Sequence, residues 1–399
     1  MEEVVIVSTV RTPFGKLGGS ISTIPAVELG ACVIRTALER GNVPFDAVEQ
    51  VIMGTVITAG QGQIPARQAA LKAGLPKEVS ALTINKVCAS SLKAVNLAAQ
   101  MIKAGDAEVV VAGGMESMSL APYLLEGARS GYRMGDQTAV DAMMRDGLSC
   151  PSGCVPMHEY GSDVAAEFEI SREDQDQWSL RSQQHYQAAL EAGKFKDEVV
   201  PVAVPQRKGG PVMVDRDEQP RADTTLESLS KLRPLKAGGS VTAGNAPGVN
   251  DGAAAVVVMS RGKAEELGIE PLAVFMAQGE ANAENRYLHT VPADAIKGAL
   301  RKAGLSLDDI GLFEINEAFA AVTLRSIQML GIDPELVNVN GGAVALGHPI
   351  GASGARILGA LIHEMRRRRV EYGAAGICSG MAQGEATIVR LAASRLPTT

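Results

Sequence analysis

The sequence predicts an α/β protein made of two similar halves with an inserted region between them. In the first third of the chain, short apolar runs that are typical of buried strands alternate with amphipathic helices, as in a sheet covered on both faces. The last third repeats this pattern, and self-similarity indicates a duplicated architecture. With 399 residues, of which 46% are hydrophobic, the chain is long enough for two or three domains with substantial cores.

The first third supplies the elements of one half. Helical spacing of apolar residues places helices at 26–40, at 65–73 and from about residue 90 onwards. Apolar runs place strands at 4–7, 48–54, 79–84 and 109–114. The last of these strands is predicted to end in a turn at Gly113, Gly114 and Met115.

Between about residues 115 and 244, glycine, proline, methionine and charged residues interrupt the periodicity, which indicates an inserted region rather than a sheet layer. A helix is predicted over 171–192, with Ser171 as its N-cap and Gly193 as its stop. A core strand returns at 253–259. The predicted division is residues 1–117 with 245–270 for the first half, 118–244 for the inserted region and 271–399 for the second half.

The spacing between strand ends and helix starts relates the two halves. Gly54, at the end of one apolar strand, precedes Ser90 by 36 residues, and Asn316, at the end of another, precedes Ser353 by 37. Each serine introduces a helix that leads to an apolar strand and a predicted glycine-containing turn, which in the second half is Ser379-Gly380-Met381. An approximate internal twofold would therefore bring strand ends of both halves to one site.

Cys88 lies at the junction between a predicted strand and a predicted helix. The positive end of a helix dipole and its unpaired amides favour a thiolate, which is the nucleophilic form of cysteine. Cysteine is also a common core residue, so this stretch alone leaves an inert role open.

Charge and cysteine content exclude several classes of protein. The formal net charge of −7 argues against a nucleic-acid or anionic-membrane partner. Neither a paired cysteine framework nor a zinc-site spacing is present, so we expect a reduced compartment and no metal. An acidic start that enters a strand directly, without any apolar run of about 18 residues, favours a soluble cytoplasmic protein. The five cysteines are Cys32, Cys88, Cys150, Cys154 and Cys378.

Three stretches of the second half carry further reactive or polar groups at strand ends or in loops. They are Asn316-Glu317-Ala318-Phe319-Ala320, the glycine-rich stretch from Asn338 to Arg356 with His348, and Cys378-Ser379-Gly380. Each of these residues could be structural when taken singly. Together with Cys88, they supply a nucleophile, an acid/base group and oxyanion donors.

These stretches and Asn85-Lys86-Val87-Cys88-Ala89-Ser90-Ser91 closely resemble the signature blocks of the thiolases, and the resemblance covers essentially the whole chain. It implies a five-layered αβαβα fold, a loop domain that covers coenzyme A, and usually a homotetramer built as a dimer of dimers. The implied reaction is reversible Claisen condensation of acetyl-CoA to acetoacetyl-CoA, or thiolysis of a 3-ketoacyl-CoA by coenzyme A. No metal or redox cofactor is implied.

The resemblance also implies roles for individual residues. Cys88 would accept the acyl group, His348 would activate it, and Cys378 would remove an α-proton from a second acetyl-CoA. One oxyanion hole would come from His348 and a water held by Asn316, and the other from the amides of Cys88 and Gly380. Residues expected to bind coenzyme A or substrate are Arg221, Leu148, Ala243, Ala246, Ala318, Phe319, His158 and Tyr160.

Two departures from the family pattern leave the acyl chain length open. Tyr160 stands where many thiolases have methionine, and Pro247 stands where they often have a serine that binds pantetheine.

Two other functions share parts of the pattern. A ketoacyl synthase usually lacks the second cysteine, so Cys378 argues against it, and an inactive acyl-CoA-binding protein would be expected to lack Cys88 or His348.

Overall fold

The structure is a computed structural model that describes residues 2–392. Met1 and residues 393–399, which belong to the predicted halves, lie outside the described residues. Within 2–392, no helix is long and apolar enough to cross a membrane.

The helices and strands are numbered along the chain. The strands are β1 Val4–Arg11, β2 Gly15–Lys16, β3 Gln50–Gly54, β4 Ser80–Ile84, β5 Val109–Ser117, β6 Tyr123–Leu124, β7 Val140–Asp141, β8 Ser149–Cys150, β9 Val155–Pro156, β10 Val202–Val204, β11 Val212–Val214, β12 Asn250–Ser260, β13 Ala273–Asn282, β14 Leu312–Ile315, β15 Tyr372–Ser379 and β16 Gln383–Leu391. The α-helices are α1 Ala26–Arg40, α2 Pro65–Ala73, α3 Ser90–Ala104, α4 Met157–Glu167, α5 Arg172–Glu191, α6 Leu226–Ser230, α7 Arg261–Glu266, α8 Val291–Ala303, α9 Ala320–Leu330, α10 Ala343–Leu346 and α11 Ser353–Arg368.

One sheet organises the described part of the chain, with the order β14-β15-β16-β13-β1-β12-β5-β3-β4 and with β2 beside β12. The order is mirrored about the β13–β1 pair in the middle. Going outward, β12 and β5 on one side match β16 and β15 on the other, both as antiparallel pairs. The next strands, β3 and β14, are parallel to their inner neighbours. The mirrored order confirms the predicted duplicated α/β fold.

Three apolar clusters show how helices cover this sheet. In the first half, α1 and α2 pack on one face. In the second half, α8 and α9 pack on the outer face. Helices α3 and α11 lie between the halves and contact strands of both. Because α3 and α11 separate the two halves of the sheet, each half forms its own layer. The five layers are therefore helices, one half of the sheet, helices, the other half of the sheet and helices.

Local sequence signals placed several elements correctly. Helices α1 and α2 have the predicted bounds, and α5 begins one residue after Ser171, whose side chain accepts a hydrogen bond from the amide of Asp174. The predicted turn at Gly113 and Gly114 is wrong, because β5 continues through both glycines. A Cβ atom on Gly113 would overlap the carbonyl oxygen of Ala254, so this glycine permits close approach of β12 instead of a turn.

Residues 118–249 leave the sheet after β5 and return to it at β12. They form α4, α5, α6 and three small antiparallel strand pairs. Helix α5 packs against α9 and α10 of the second half, so this region lies over the strand ends of that half. The boundaries of the inserted region at 118 and 244 stay a prediction.

The close approach of β5 to the loop before α11 gives a test of the fold. A methyl group on Gly114 would overlap the carbonyl oxygen of Gly351 and approach Ser91. We expect Gly114→Ala to lower the free energy of unfolding by about 1–3 kcal/mol, measured by urea denaturation.

Gly298→Ala is the matched control. Gly298 lies inside α8, where the nearest atom to an added Cβ is 3.8 Å away. Alanine favours helix, so this change should raise stability by about 0.5–1 kcal/mol. Equal stability of Gly114→Ala and the unchanged protein would contradict the packing described.

Candidate active site

A cavity of about 300 Å³ lies where strand ends of the two halves meet the inserted region. Cys88 comes from the first half, and His348 and Cys378 come from the second. Most of the remaining lining is apolar and includes Met118, Met144, Met157, Leu288 and Ile350. The fold therefore brings two thiols and one imidazole into a single cavity with a largely apolar lining.

Cys88 is held in a tight loop between β4 and α3. The preceding residue, Val87, has a φ of 46°, a left-handed conformation that costs a β-branched residue about 1–3 kcal/mol. Local hydrogen bonds hold this loop, since Ser90 Oγ accepts from the amide of Lys86 at 2.8 Å and donates to the carbonyl of Val87 at 2.6 Å. A bond of 2.6 Å from Ser379 Oγ to the carbonyl of Lys86 ties the loop to the second half.

The Cys88 thiol is neutral at pH 7. It is partly accessible from the cavity, but the surrounding protein excludes most water, and this burial raises its pKa to about 12. Hydrogen bonds from the amides of Gly380 and Cys88 lower the pKa by less than burial raises it. Burial therefore opposes the thiolate that the start of α3 is expected to favour.

His348 is oriented as a neutral base. Its amide donates to Asn250 Oδ1 at 2.9 Å, and its Nδ1 lies 2.6 Å from Ser353 Oγ. The Ser353 hydroxyl donates its only proton to the carbonyl of Pro349, so it accepts from Nδ1–H, which leaves Nε2 with a free lone pair. Burial and the charge of Arg356 lower the pKa of His348 to about 3.

Cys378 occupies the end of β15 and is almost completely buried. Burial and the neighbouring Cys88 raise the pKa of its thiol well above the usual range. The turn that follows places Met381 and Ala382 in the left-handed region, with φ values of 64° and 47°. This turn aims the amide of Gly380 at the Cys88 sulfur.

Asn316 follows β14 and is fully buried, although it is not among the residues that line the cavity. Its Oδ1 accepts a hydrogen bond of 3.3 Å from Arg356 Nη2. Its Nδ2 has no hydrogen-bond partner among the described residues. The amide nitrogen therefore has both N–H donors spare close to the strand ends that form the site.

The residues expected to bind coenzyme A or substrate fall into three places. Arg221 and Ala243 line a separate cavity of about 180 Å³ in the inserted region. Tyr160 lines neither cavity, and its hydroxyl lies against Gly153 and Cys150. Pro247 belongs to the lining around Cys88, as do Leu148, His158, Ala246, Ala318 and Phe319.

Three polar residues around the site were not predicted from the sequence: Ser353, Arg356 and Glu116. Ser353 could have been found from its position five residues after His348 on the same glycine-rich stretch. Glu116 and Arg356 gave no local signal. Glu116 accepts hydrogen bonds from the amides of Val56, Ile57 and Gly351 and so joins two site loops, while burial raises its pKa to about 7.

A duplicated α/β fold with two thiols and one imidazole at the junction of its halves is the arrangement of a thiolase. The family model described as "Thiolase, N-terminal domain" matches residues 4–262, and "Thiolase, C-terminal domain" matches residues 269–391. The chain belongs to the thiolase family. This membership sets aside the ketoacyl-synthase alternative.

Curated relatives are similar along their whole length. A protein of Cupriavidus necator named acetyl-CoA acetyltransferase is 54% identical over 390 residues, which are 98% of this chain and 99% of the relative. A protein of Chromobacterium violaceum with the same name is 52% identical over 97% of this chain and 99% of its own. A probable acetyl-CoA acyltransferase of Staphylococcus epidermidis is 47% identical over 98% and 99%.

Because burial favours the neutral forms of Cys88 and His348, the rate at which Cys88 is alkylated should depend on His348. Because burial raises the pKa of Cys88 far above 7, little thiolate is present at pH 7, and fast alkylation requires a proton acceptor such as His348. We expect His348→Gln to slow alkylation of Cys88 by iodoacetamide at pH 7 at least about tenfold. The residual rate should then rise about tenfold per pH unit up to pH 9, because the thiolate fraction rises with pH.

Peptide mass spectrometry follows each cysteine in the same sample. The exposed Cys154 serves as the internal control, and its rate should not change in the variant. An unchanged rate at Cys88 in His348→Gln would contradict the role of His348 as proton acceptor.

Proposed function

We propose that this protein is an acetyl-CoA acetyltransferase that condenses two acetyl-CoA molecules reversibly to acetoacetyl-CoA and coenzyme A. The observation that carries this proposal is the convergence of Cys88, Cys378 and a neutral His348 in one apolar cavity. A Claisen condensation needs one group that holds an acyl chain and another that makes a carbon nucleophile, and two thiols fit these roles. The names of the curated relatives support the same reaction.

The first half-reaction transfers an acetyl group to Cys88. The thiol gives its proton to His348 Nε2, and the sulfur attacks the thioester carbonyl of acetyl-CoA. The amides of Cys88 and Gly380, which already point at the sulfur, would bind the developing oxyanion. Coenzyme A leaves as a thiolate and takes the proton of Cys378, whose raised pKa means that it starts as a thiol.

The second half-reaction forms the carbon–carbon bond. The Cys378 thiolate removes an α-proton from the second acetyl-CoA, and the protonated Nε2 of His348 donates to the enolate oxygen together with a water held by Asn316 Nδ2. The enolate carbon attacks the acetyl-Cys88 carbonyl, and acetoacetyl-CoA forms as the Cys88 sulfur leaves. His348 returns its proton to Cys88, so every proton is accounted for and no cofactor takes part.

The two cavities suggest how coenzyme A would lie. We propose that pantetheine enters the cavity around Cys88 between Leu148, His158, Ala246 and Phe319. The adenine end would lie beside Arg221 and Ala243 in the inserted region. Tyr160 would support the wall from behind, because it packs with apolar residues of this wall without lining the cavity.

We also propose a cytoplasmic homotetramer, a dimer of dimers, that takes part in fatty acid metabolism without a membrane or nucleic-acid partner. All five cysteines are free thiols, which fits a reducing compartment. Two surfaces with exposed apolar side chains are suited to contacts between subunits. Leu82 on the edge strand β4 is 45% exposed, and in the inserted region Tyr123 is 67% and Met134 is 93% exposed.

Thiolysis tests the proposed reaction. Purified protein should cleave acetoacetyl-CoA in the presence of coenzyme A, seen as loss of the enolate absorbance. Cys88→Ala should lower kcat at least about 10³-fold, because the acyl acceptor is gone. Cys32→Ala, which removes a thiol of α1 that does not line the cavity, should keep the full rate.

Absence of thiolysis in the unchanged protein would contradict the function and leave the inactive acyl-CoA-binding alternative. Undiminished thiolysis in Cys88→Ala would contradict the nucleophile assignment. A ladder of 3-ketoacyl-CoA lengths in the same assay measures specificity, and we expect acetoacetyl-CoA to be preferred.

The assembly has its own test. Light scattering should give four times the chain mass, and Leu82→Lys should yield smaller species, because a charge would disrupt pairing at the edge strand. Val212→Lys, at a similarly exposed position of β11, is the control and should keep the assembly. A tetramer that survives Leu82→Lys would contradict the use of this edge.

A further inference from the structure

Arg356 is a buried arginine that contacts two groups beside the site. It lies in the first turn of α11, three residues after Ser353, and is only 2% exposed. Its Nη1 lies 3.1 Å from Glu314 Oε2, and its Nη2 donates to Asn316 Oδ1 at 3.3 Å. The planar guanidinium therefore holds two neighbouring side chains at the end of β14 at the same time.

The bond to Asn316 decides which way its amide faces. The oxygen and nitrogen of an asparagine side chain have nearly the same shape, so only hydrogen-bond partners select one orientation. Arg356 has only donors and therefore selects Oδ1. Nδ2 then points away from Arg356, where it is buried without a partner among the described residues.

Glu314 is the acidic partner of this buried arginine. It lies two residues before Asn316, and its carboxyl group lies 3.1 Å from the guanidinium, while burial raises the pKa of Glu314 to about 8. An ion pair alone would need only this contact. The second contact, to an uncharged amide next to the catalytic cavity, requires the fork geometry of arginine and could not be made by one ammonium group at both places.

We propose that Arg356 is a positioning residue that fixes the Asn316 amide so that Nδ2 serves the oxyanion hole of the carbon–carbon step. The inference rests on the proposed thiolase function. Arg356 does not line the cavity, so it acts only through Asn316 and the electrostatic environment of His348. The other charged groups around Arg356 are Arg11, Glu198 and Glu317.

The two half-reactions separate this role from a structural one. Exchange of labelled coenzyme A with acetyl-CoA needs only acetyl transfer to and from Cys88. Thiolysis of acetoacetyl-CoA also releases an enolate, whose oxygen would use the Asn316 side of the site. The informative readout is therefore the ratio of thiolysis to exchange in the same preparation, since a general loss of folded protein lowers both rates together.

Arg356→Lys keeps a positive charge but cannot hold both partners. We expect thiolysis to fall at least about tenfold, as for an impaired oxyanion donor, while exchange stays within about threefold of the unchanged protein. The matched control is Glu314→Gln, which removes the carboxylate but leaves the bond from Arg356 to Asn316. Its ratio of thiolysis to exchange should stay that of the unchanged protein.

A double variant covers the case in which Arg356→Lys does not fold. Replacing a buried ion pair by apolar residues of similar volume is often tolerated, so Arg356→Met with Glu314→Met should fold and show the same lowered ratio. A ratio within about threefold of the unchanged protein, in a folded variant without the guanidinium, would overturn the inference. An equally lowered ratio in Glu314→Gln would also overturn it. Failure of the unchanged protein to perform thiolysis would instead reject the proposed function.

Discussion

The close packing of the N-terminal ends of α3 and α11 is the constraint on which the rest of the structure depends. The amide of Ala355 donates to Ser91 Oγ at 2.9 Å, and a Cβ atom on Gly354 would overlap the backbone of Leu92. Both helices lie in the central layer between the halves of the sheet. Because their starts touch, the loop with Cys88 and the loop with His348 open into the same cavity.

Burial of the reacting groups controls the chemistry of that cavity. Burial is the largest cause of the pKa shifts of Cys88, His348 and Cys378, and it drives all three toward their neutral forms. A resting site without charged reacting groups avoids the cost of burying an unpaired ion. Charges then need to arise only by proton transfer between neighbours, at the moment when a thioester carbonyl is present to receive electron density.

The inserted region is joined to the site by Glu317. This fully buried carboxylate accepts hydrogen bonds from Trp178 Nε1 and Ser182 Oγ of α5, both at 2.9 Å. It also accepts from the amide of Val344 and from Asn338 Nδ2, both at 3.0 Å. One side chain thus connects α5, which covers the second half, with the end of β14 and with α10 before His348. Hydrogen bonds to Glu317 therefore join α5 of the inserted region to the second half of the fold beside the site.

The sequence by itself determined the elements whose signals are local and the duplication that relates them. Amphipathic spacing and stop residues set α1, α2 and α5, and the repeated spacing indicated that strand ends of both halves would meet. Tertiary structure decided what local patterns cannot encode. Gly113 has the same sequence signature whether it turns the chain or allows close approach of a neighbouring strand. Cys88 at a helix start has the same signature whether its thiol is exposed or buried. Arg356 and Glu116 became visible only in three dimensions, because their partners are backbone amides and side chains far away in sequence, and because electrostatic effects depend on how much water the assembled fold excludes.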